Sequence, residues 1–136
     1  MDDEIAALLA EIGRLLPAES ENPDAPCLLV AEVGDNYVGP AIFENLGTQL
    51  RWRSYDRSEL TYALLDLWEA APKEKRWAWI EYLLQNGQFK ATFVYPEDIS
   101  PDEEPFSRDW TTAERYFPGI PIVYPPWKDD VSDFTI

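Results

Sequence analysis

Histidine is absent from this 136-residue chain, and cysteine and methionine occur once each. Without histidine there is no imidazole general base, no Ser-His or Cys-His nucleophile pair, and none of the commonest metal ligand. A single thiol, Cys27, excludes an internal disulfide and a cysteine-rich zinc site. Its setting, Cys27-Leu28-Leu29-Val30, reads as that of a small buried apolar residue. Glycine occurs only six times, in neither a GxGxxG nor a GK[ST] pattern, so no phosphate-cradling loop is expected. No apolar run approaches the roughly 20 residues that span a bilayer. The start, Met1-Asp2-Asp3-Glu4, is acidic where a secretory signal is basic. The expectation is one soluble, cytoplasmic domain over residues 1–136 that needs no cofactor.

Positive charge is the other scarcity. Against 26 acids stand 11 bases, a net of −15. Residues 1–35 carry −8, residues 36–95 are neutral, and residues 96–136 carry −7. A basic face for phosphate backbones can hardly be assembled from this supply, so direct nucleic-acid binding is not expected. High negative charge keeps a protein in solution, and it also steers basic partners.

What the chain does have is aromatic residues, at 14%, and a strong organising stretch from Trp77 to Pro96. Asn86-Gly87 there is a type I′ hairpin signal, because both central residues of that turn need positive φ. Trp77, Trp79, Ile80 and Tyr82 precede it; Phe89, Ala91, Phe93 and Tyr95 share one face after it. A lone hairpin cannot bury such a face, so other elements must cover it.

The N-terminal leucines and isoleucines recur at helical spacing from about Asp3 to Leu16, with acids in the first turn and Pro17 as the stop. Strands are expected from Cys27 to Val33, from Tyr37 to Glu44 with Gly39-Pro40 weakening or bulging it, and from Gln49 to Tyr55. In the last, Leu50 and Trp52 alternate with outward Arg51 and Arg53. Asp56 with Glu59 reads as a capping box opening a core helix that ends near Ala71-Pro72. An acidic loop, Glu97 to Pro105, leads to a short helix capped by Thr111 or Thr112 and stopped by Pro118-Gly119. A Pro-rich extended tail from about 118 runs to Trp127, and residues 128–136 are expected to fray. The fold class is α+β: an antiparallel meander of about five strands, an N-terminal helix, one helix between strands 3 and 4, and a short C-terminal helix.

Paired carboxylates such as Glu103-Glu104 or Asp129-Asp130 leave a carboxylate-based or metal-dependent hydrolase as the alternative reading. With 26 acids, neighbouring pairs arise from abundance, and Asp98 to Asp109 lacks the spacing and central glycine of a calcium loop. No catalytic, cofactor-binding or metal-binding residue is assigned. Recognition is the stronger reading. Asp98, Asp102, Glu103, Glu104 and Asp109, followed by Trp110, combine clustered carboxylates with an aromatic anchor suited to a basic protein. Trp110 also suits a core position, and Glu19, Glu21 and Asp24 form a second acidic candidate.

Over residues 56–127 the pattern resembles YezG-type antitoxin and immunity proteins. The likeness lies in a helix with Leu67-Trp68, a tryptophan-led strand, Asn86-Gly87-Gln88-Phe89-Lys90 with Phe93 and Tyr95, an acidic loop, Arg108-Asp109-Trp110 before Arg115-Tyr116-Phe117, and Pro121-Ile122-Val123-Tyr124-Pro125-Pro126. The resemblance implies a cytoplasmic bacterial protein that binds and blocks a cognate polymorphic toxin, often a nuclease domain. It carries no partner residues over by motif and leaves the oligomeric state open.

Overall fold

The strand Cys27–Gly34, β1, is apolar on both faces: Cys27, Leu28, Leu29, Val30 and Ala31 are all buried. A strand of that kind needs a neighbour at each edge and a layer over each face. The computed structural model, which describes residues 2–55, 58–104 and 106–125, supplies all four. β2 (Tyr37–Asn45) pairs antiparallel with one edge of β1, and β4 (Trp79–Gln85) pairs antiparallel with the other. β3 (Leu50–Arg53) extends the sheet beyond β2, and β5 (Gln88–Val94) extends it beyond β4. β6 (Ile122–Val123) adds a short parallel edge to β3, with the Leu50 N–H donating to the Pro121 carbonyl at 2.8 Å. The order is β5-β4-β1-β2-β3-β6.

The α+β class holds, but the five-stranded meander does not. The sheet has six strands and one parallel pair. The helix α2 (Ser58–Glu69) carries the chain from β3 back across the sheet, so that β4 lands beside β1 rather than beside β3. The reason is the two-faced apolar character of β1, which at an edge would leave one side of its backbone unpaired.

α1 (Asp3–Leu15) and α2 cover one face. Leu9, Ile12, Leu15, Leu60, Leu64 and Leu67 close there on Leu29, Ala31, Ile42, Ile80 and Tyr82. Asp2 caps α1 by accepting from the Glu4 N–H at 2.7 Å. The α-helix ends at Leu15 with Leu16 as its C-cap, just before Pro17 as expected. Pro17 then sits near the start of a 3-10 turn, Leu16–Glu19, that follows the helix. Of the capping box expected at Asp56 and Glu59, Asp56 lies outside the described residues. Trp68 is a packing residue, its indole N–H donating to the Trp77 carbonyl at 2.9 Å.

α3 (Arg108–Tyr116) covers the other face. Its small buried side chains, Thr112 and Ala113, let it approach Leu28, Val30, Phe43 and Leu50 closely. The helix begins at Arg108 with Ser107 before it, so Thr111 and Thr112 are interior residues and not caps. The stop at the other end is as expected, with Gly119 at φ +79. The hairpin also forms as expected, with Asn86 at φ +56 and Gly87 at φ +73. Tyr82 stacks on Phe89 across it, with ring centroids 5.3 Å apart. The Gly39-Pro40 bulge is absent. β2 pairs continuously with β1, and the Asn45 N–H donating to Pro26 turns the odd-numbered β2 residues toward β1. Pro40 therefore turns its nitrogen to the other edge, where β3 pairs only from Ile42 onward. Pro126, Trp127 and the fraying expected for residues 128–136 lie outside the described residues.

Arg51 and Arg53 do not face solvent; both are buried on the α1 side of β3. Arg53 Nε donates to Glu44 Oε2 at 2.6 Å, and its Nη2 donates to the Leu16 carbonyl. The end of α1 and the following turn cover this end of the sheet, so the alternation of charge marks a buried ion pair and not an outer face.

Two expectations follow from this packing. Gly13 lies in α1 where an added Cβ would stand 2.7 Å from the Tyr82 hydroxyl, which itself donates to the Leu9 carbonyl at 2.6 Å. Glycine-to-alanine in an exposed helix stabilises by about 1 kcal/mol. Here Gly13→Ala is expected to destabilise by about 1–2 kcal/mol, because a fully buried ring must move. In a Tyr82→Phe background the same change should instead be neutral or stabilising, read by urea denaturation. Burial pushes the Cys27 thiol up to about 12 from its ordinary 9.0. Above pH 9 the unfolded thiol loses its proton while the folded one keeps it, so stability at this site is lost as pH rises toward 12. Cys27→Ala should show a shallower decline than wild type over that window, and wild-type Cys27 should react with a thiol reagent at pH 8 only as fast as the fold opens.

Candidate functional site

The registers that place β1 at the centre also build a surface. Glu32 pairs with Gly39 on one side and Trp79 on the other, so these three residues line up across β2, β1 and β4 on the α3 face. Gly39 has no side chain to raise there, and Tyr37 lies over it, its hydroxyl 3.2 Å from where a Cβ would stand. The Tyr37 hydroxyl donates to Glu32 Oε1 in a short hydrogen bond, which together with burial raises its pKa. Trp52 from β3, Phe106 from the approach to α3 and Asp109 from its first turn complete the walls of a groove of about 410 Å³.

Phe106 is 98% exposed and holds φ at +67, so an aromatic ring is presented to water from a backbone conformation that side chains with a Cβ disfavour. Trp110 is 41% exposed, Tyr37 49% and Tyr124 50%. Tyr124 packs on Trp52 with ring centroids 5.8 Å apart.

α3 is pinned beside this groove by a buried carboxylate. Glu81, from the middle of β4, is 3% exposed and accepts from Arg115 Nη2 at 2.6 Å and from the Tyr116 hydroxyl at 2.8 Å. Burial first and the Glu81 carboxylate second raise the Tyr116 phenol. Arg108 is held in two hydrogen bonds to Glu103, at 2.6 and 3.0 Å, with its guanidinium 5.8 Å from the Trp79 ring centroid.

The acidic stretch therefore divides by role. Asp98 is exposed and closes a 3-10 turn, Pro96–Asp98, accepting from the Tyr95 N–H at 3.4 Å. Asp102 and Glu104 are exposed. Glu103 is engaged by Arg108 and belongs to the scaffold. Asp109 is half-buried, accepts from the Trp110 N–H at 2.8 Å, and faces the groove. Of the second acidic candidate, Glu21 stands 4.0 Å from Arg51 and Asp24 lines a separate groove beside the hairpin turn. Of the residues singled out for recognition from the sequence, Asp109 lines this groove and Trp110 does not, while Phe106, Tyr37, Trp52, Trp79 and Glu32 line it without having been singled out. One signal was present: Phe106 is the lone large apolar residue in an otherwise polar, acidic loop.

Among the described residues two carboxylates are buried, Glu44 and Glu81. They lie on opposite faces of the sheet, Glu44 level with Cys27 and Glu81 level with Val30, and an arginine engages each. Among the described residues no three His, Cys, Asp or Glu side chains are grouped to hold a metal ion, and no helix is long and apolar enough to cross a membrane.

The chain matches no family model and no curated protein. The YezG-type resemblance therefore rests on the residues quoted for it.

The strained, exposed aromatic yields a direct expectation. Phe106→Gly relieves the left-handed backbone and removes no buried contact, so it should leave thermal stability unchanged or raise it by up to about 1 kcal/mol, read as the melting temperature.

Proposed function

We propose that this chain is an immunity protein of the antitoxin type, which binds a cognate basic toxin domain and blocks it by occlusion, without catalysis. The observation that carries the reading is the pairing of exposed aromatic rings, Phe106 above all, with carboxylates on the α3 face of a chain of net charge −15. Aromatic anchors supply the desolvated area that holds a complex together, and the acids supply long-range steering toward a positive surface. A nuclease-type domain, whose surface is basic because its substrate is a phosphate backbone, has the complementary charge. The partner surface centres on Asp109, Trp110 and Phe106, with Asp98, Asp102 and Glu104 as steering charges and Glu103 as a support for Arg108.

Hydrolysis by carboxylates needs two acids facing one pocket. The buried pair here stands on opposite sides of the sheet with an arginine engaging each member, and Glu32 and Asp109, which do share a groove, already accept from the Tyr37 hydroxyl and the Trp110 N–H. Binding is thus the reading with a surface behind it.

Co-expression with the product of the adjacent upstream gene tests the proposal. Rescue of growth with a stable 1:1 complex is expected, with an association rate that falls about tenfold or more between low and physiological salt. Asp98→Asn, Asp102→Asn, Glu104→Gln and Asp109→Asn combined should flatten that salt dependence. Rescue without a complex, or unchanged low-salt association by the neutralised variant, would refute occlusion through this face.

A further inference from the structure

We infer that the groove between Phe106 and the β1–β2–β4 floor is a receptor for an organic cation, and specifically for an arginine side chain presented by a protein segment. Its walls are the rings of Tyr37, Trp52, Trp79 and Phe106, and its polar groups are the carboxylates of Glu32 and Asp109. Aromatic faces attract a cation through the ring quadrupole, and a planar guanidinium both stacks on a ring and meets a carboxylate with two parallel donors. No basic side chain lines this groove. Two cations on the same face are already engaged: Arg108 is held by both oxygens of Glu103, and Arg115 by Glu81.

The protein already shows the interaction it would offer. Arg108 lies over Trp79, one of the groove's own walls. The floor is flat where Gly39 stands, so a long side chain can lie along the sheet. At about 410 Å³ the groove takes an extended side chain together with part of the backbone that bears it. The occupant is fixed by charge complementarity: two carboxylates and four rings, in a chain of net −15, fit a cation and repel an anion.

This inference deepens the binding proposal by naming the group that the partner inserts, and it rests on that proposal only for which macromolecule carries the arginine. Its test needs no toxin. The indole N–H signals of Trp52 and Trp79, assigned by single Trp→Phe replacements, are followed by NMR while acetyl-Gly-Arg-Gly-amide is added, and the citrulline peptide of the same shape serves as the neutral control. Both signals are expected to shift saturably, with the arginine peptide binding about fivefold or more tightly than the citrulline peptide. Asp109→Asn and Phe106→Ala, two changes outside the core, should bring the arginine peptide down to the citrulline level while leaving the melting temperature within a few degrees. Equal binding of the two peptides overturns the inference. So does the absence of a saturable shift, wild-type binding by both variants, or a response confined to the indoles of Trp68 and Trp77 on the opposite face. If the arginine peptide binds while co-expression gives neither rescue nor complex, the toxin reading fails and the receptor stands.

Discussion

The structure depends on the burial of one strand from all sides. β1 offers apolar side chains in both directions, and no edge position or single-layer sheet can satisfy it. Its demand for a second neighbour draws β4 across from the far end of α2. Its demand for cover sets α1 and α2 on one face and α3 on the other. The groove follows from the same arrangement, because only with β2 and β4 on either side of β1 do Gly39, Glu32 and Trp79 stand in a row.

Charge inside this frame is handled in pairs. Glu44 with Arg53 and Glu81 with Arg115 and Tyr116 put one charge-assisted cluster on each side of the sheet. The Glu44–Arg53 pair is buried on both sides, whereas Glu81 is buried and its Arg115 largely exposed; removing either arginine leaves a buried carboxylate without its cation. Their value is positional. Arg53 ties β3 to the end of α1 through the Leu16 carbonyl, and Glu81 ties α3 to β4 at the side of the groove.

Local signals were legible in the sequence, and the arrangement was not. The Asn86-Gly87 turn, the leucine spacing of α1 and the apolar stripe of α2 depend on contacts a few residues apart, and each element appears close to its expected bounds. Strand order depends on which edges meet after a helix intervenes, and a hairpin signal says nothing of that. The continuous run from Cys27 to Ala31 was the available clue, since apolar residues on both faces mark a central strand. Arg51 and Arg53 misled for a related reason: alternation tells which residues share a face, and tertiary cover decides which face is wet. Thr111 and Thr112 suggested caps on composition alone, although both lie inside the helix and Thr112 is buried beside Ala113. For the site, the acids were visible as a cluster. Their separation into scaffold and surface required the Arg108 contact, and the aromatic walls come from segments up to about 70 residues apart.

The crossover also has a consequence for how the chain comes together during synthesis. β1, β2 and β3 emerge first and can form a three-stranded unit, but the second edge of β1 stays unpaired until residues 79–85 have been made. For that interval the most apolar backbone edge in the protein is open to any extended segment nearby. Residues 1–35, which contain this strand, carry −8, and like charge on each copy opposes association of two incomplete chains while the hairpin that will close the sheet is still being added.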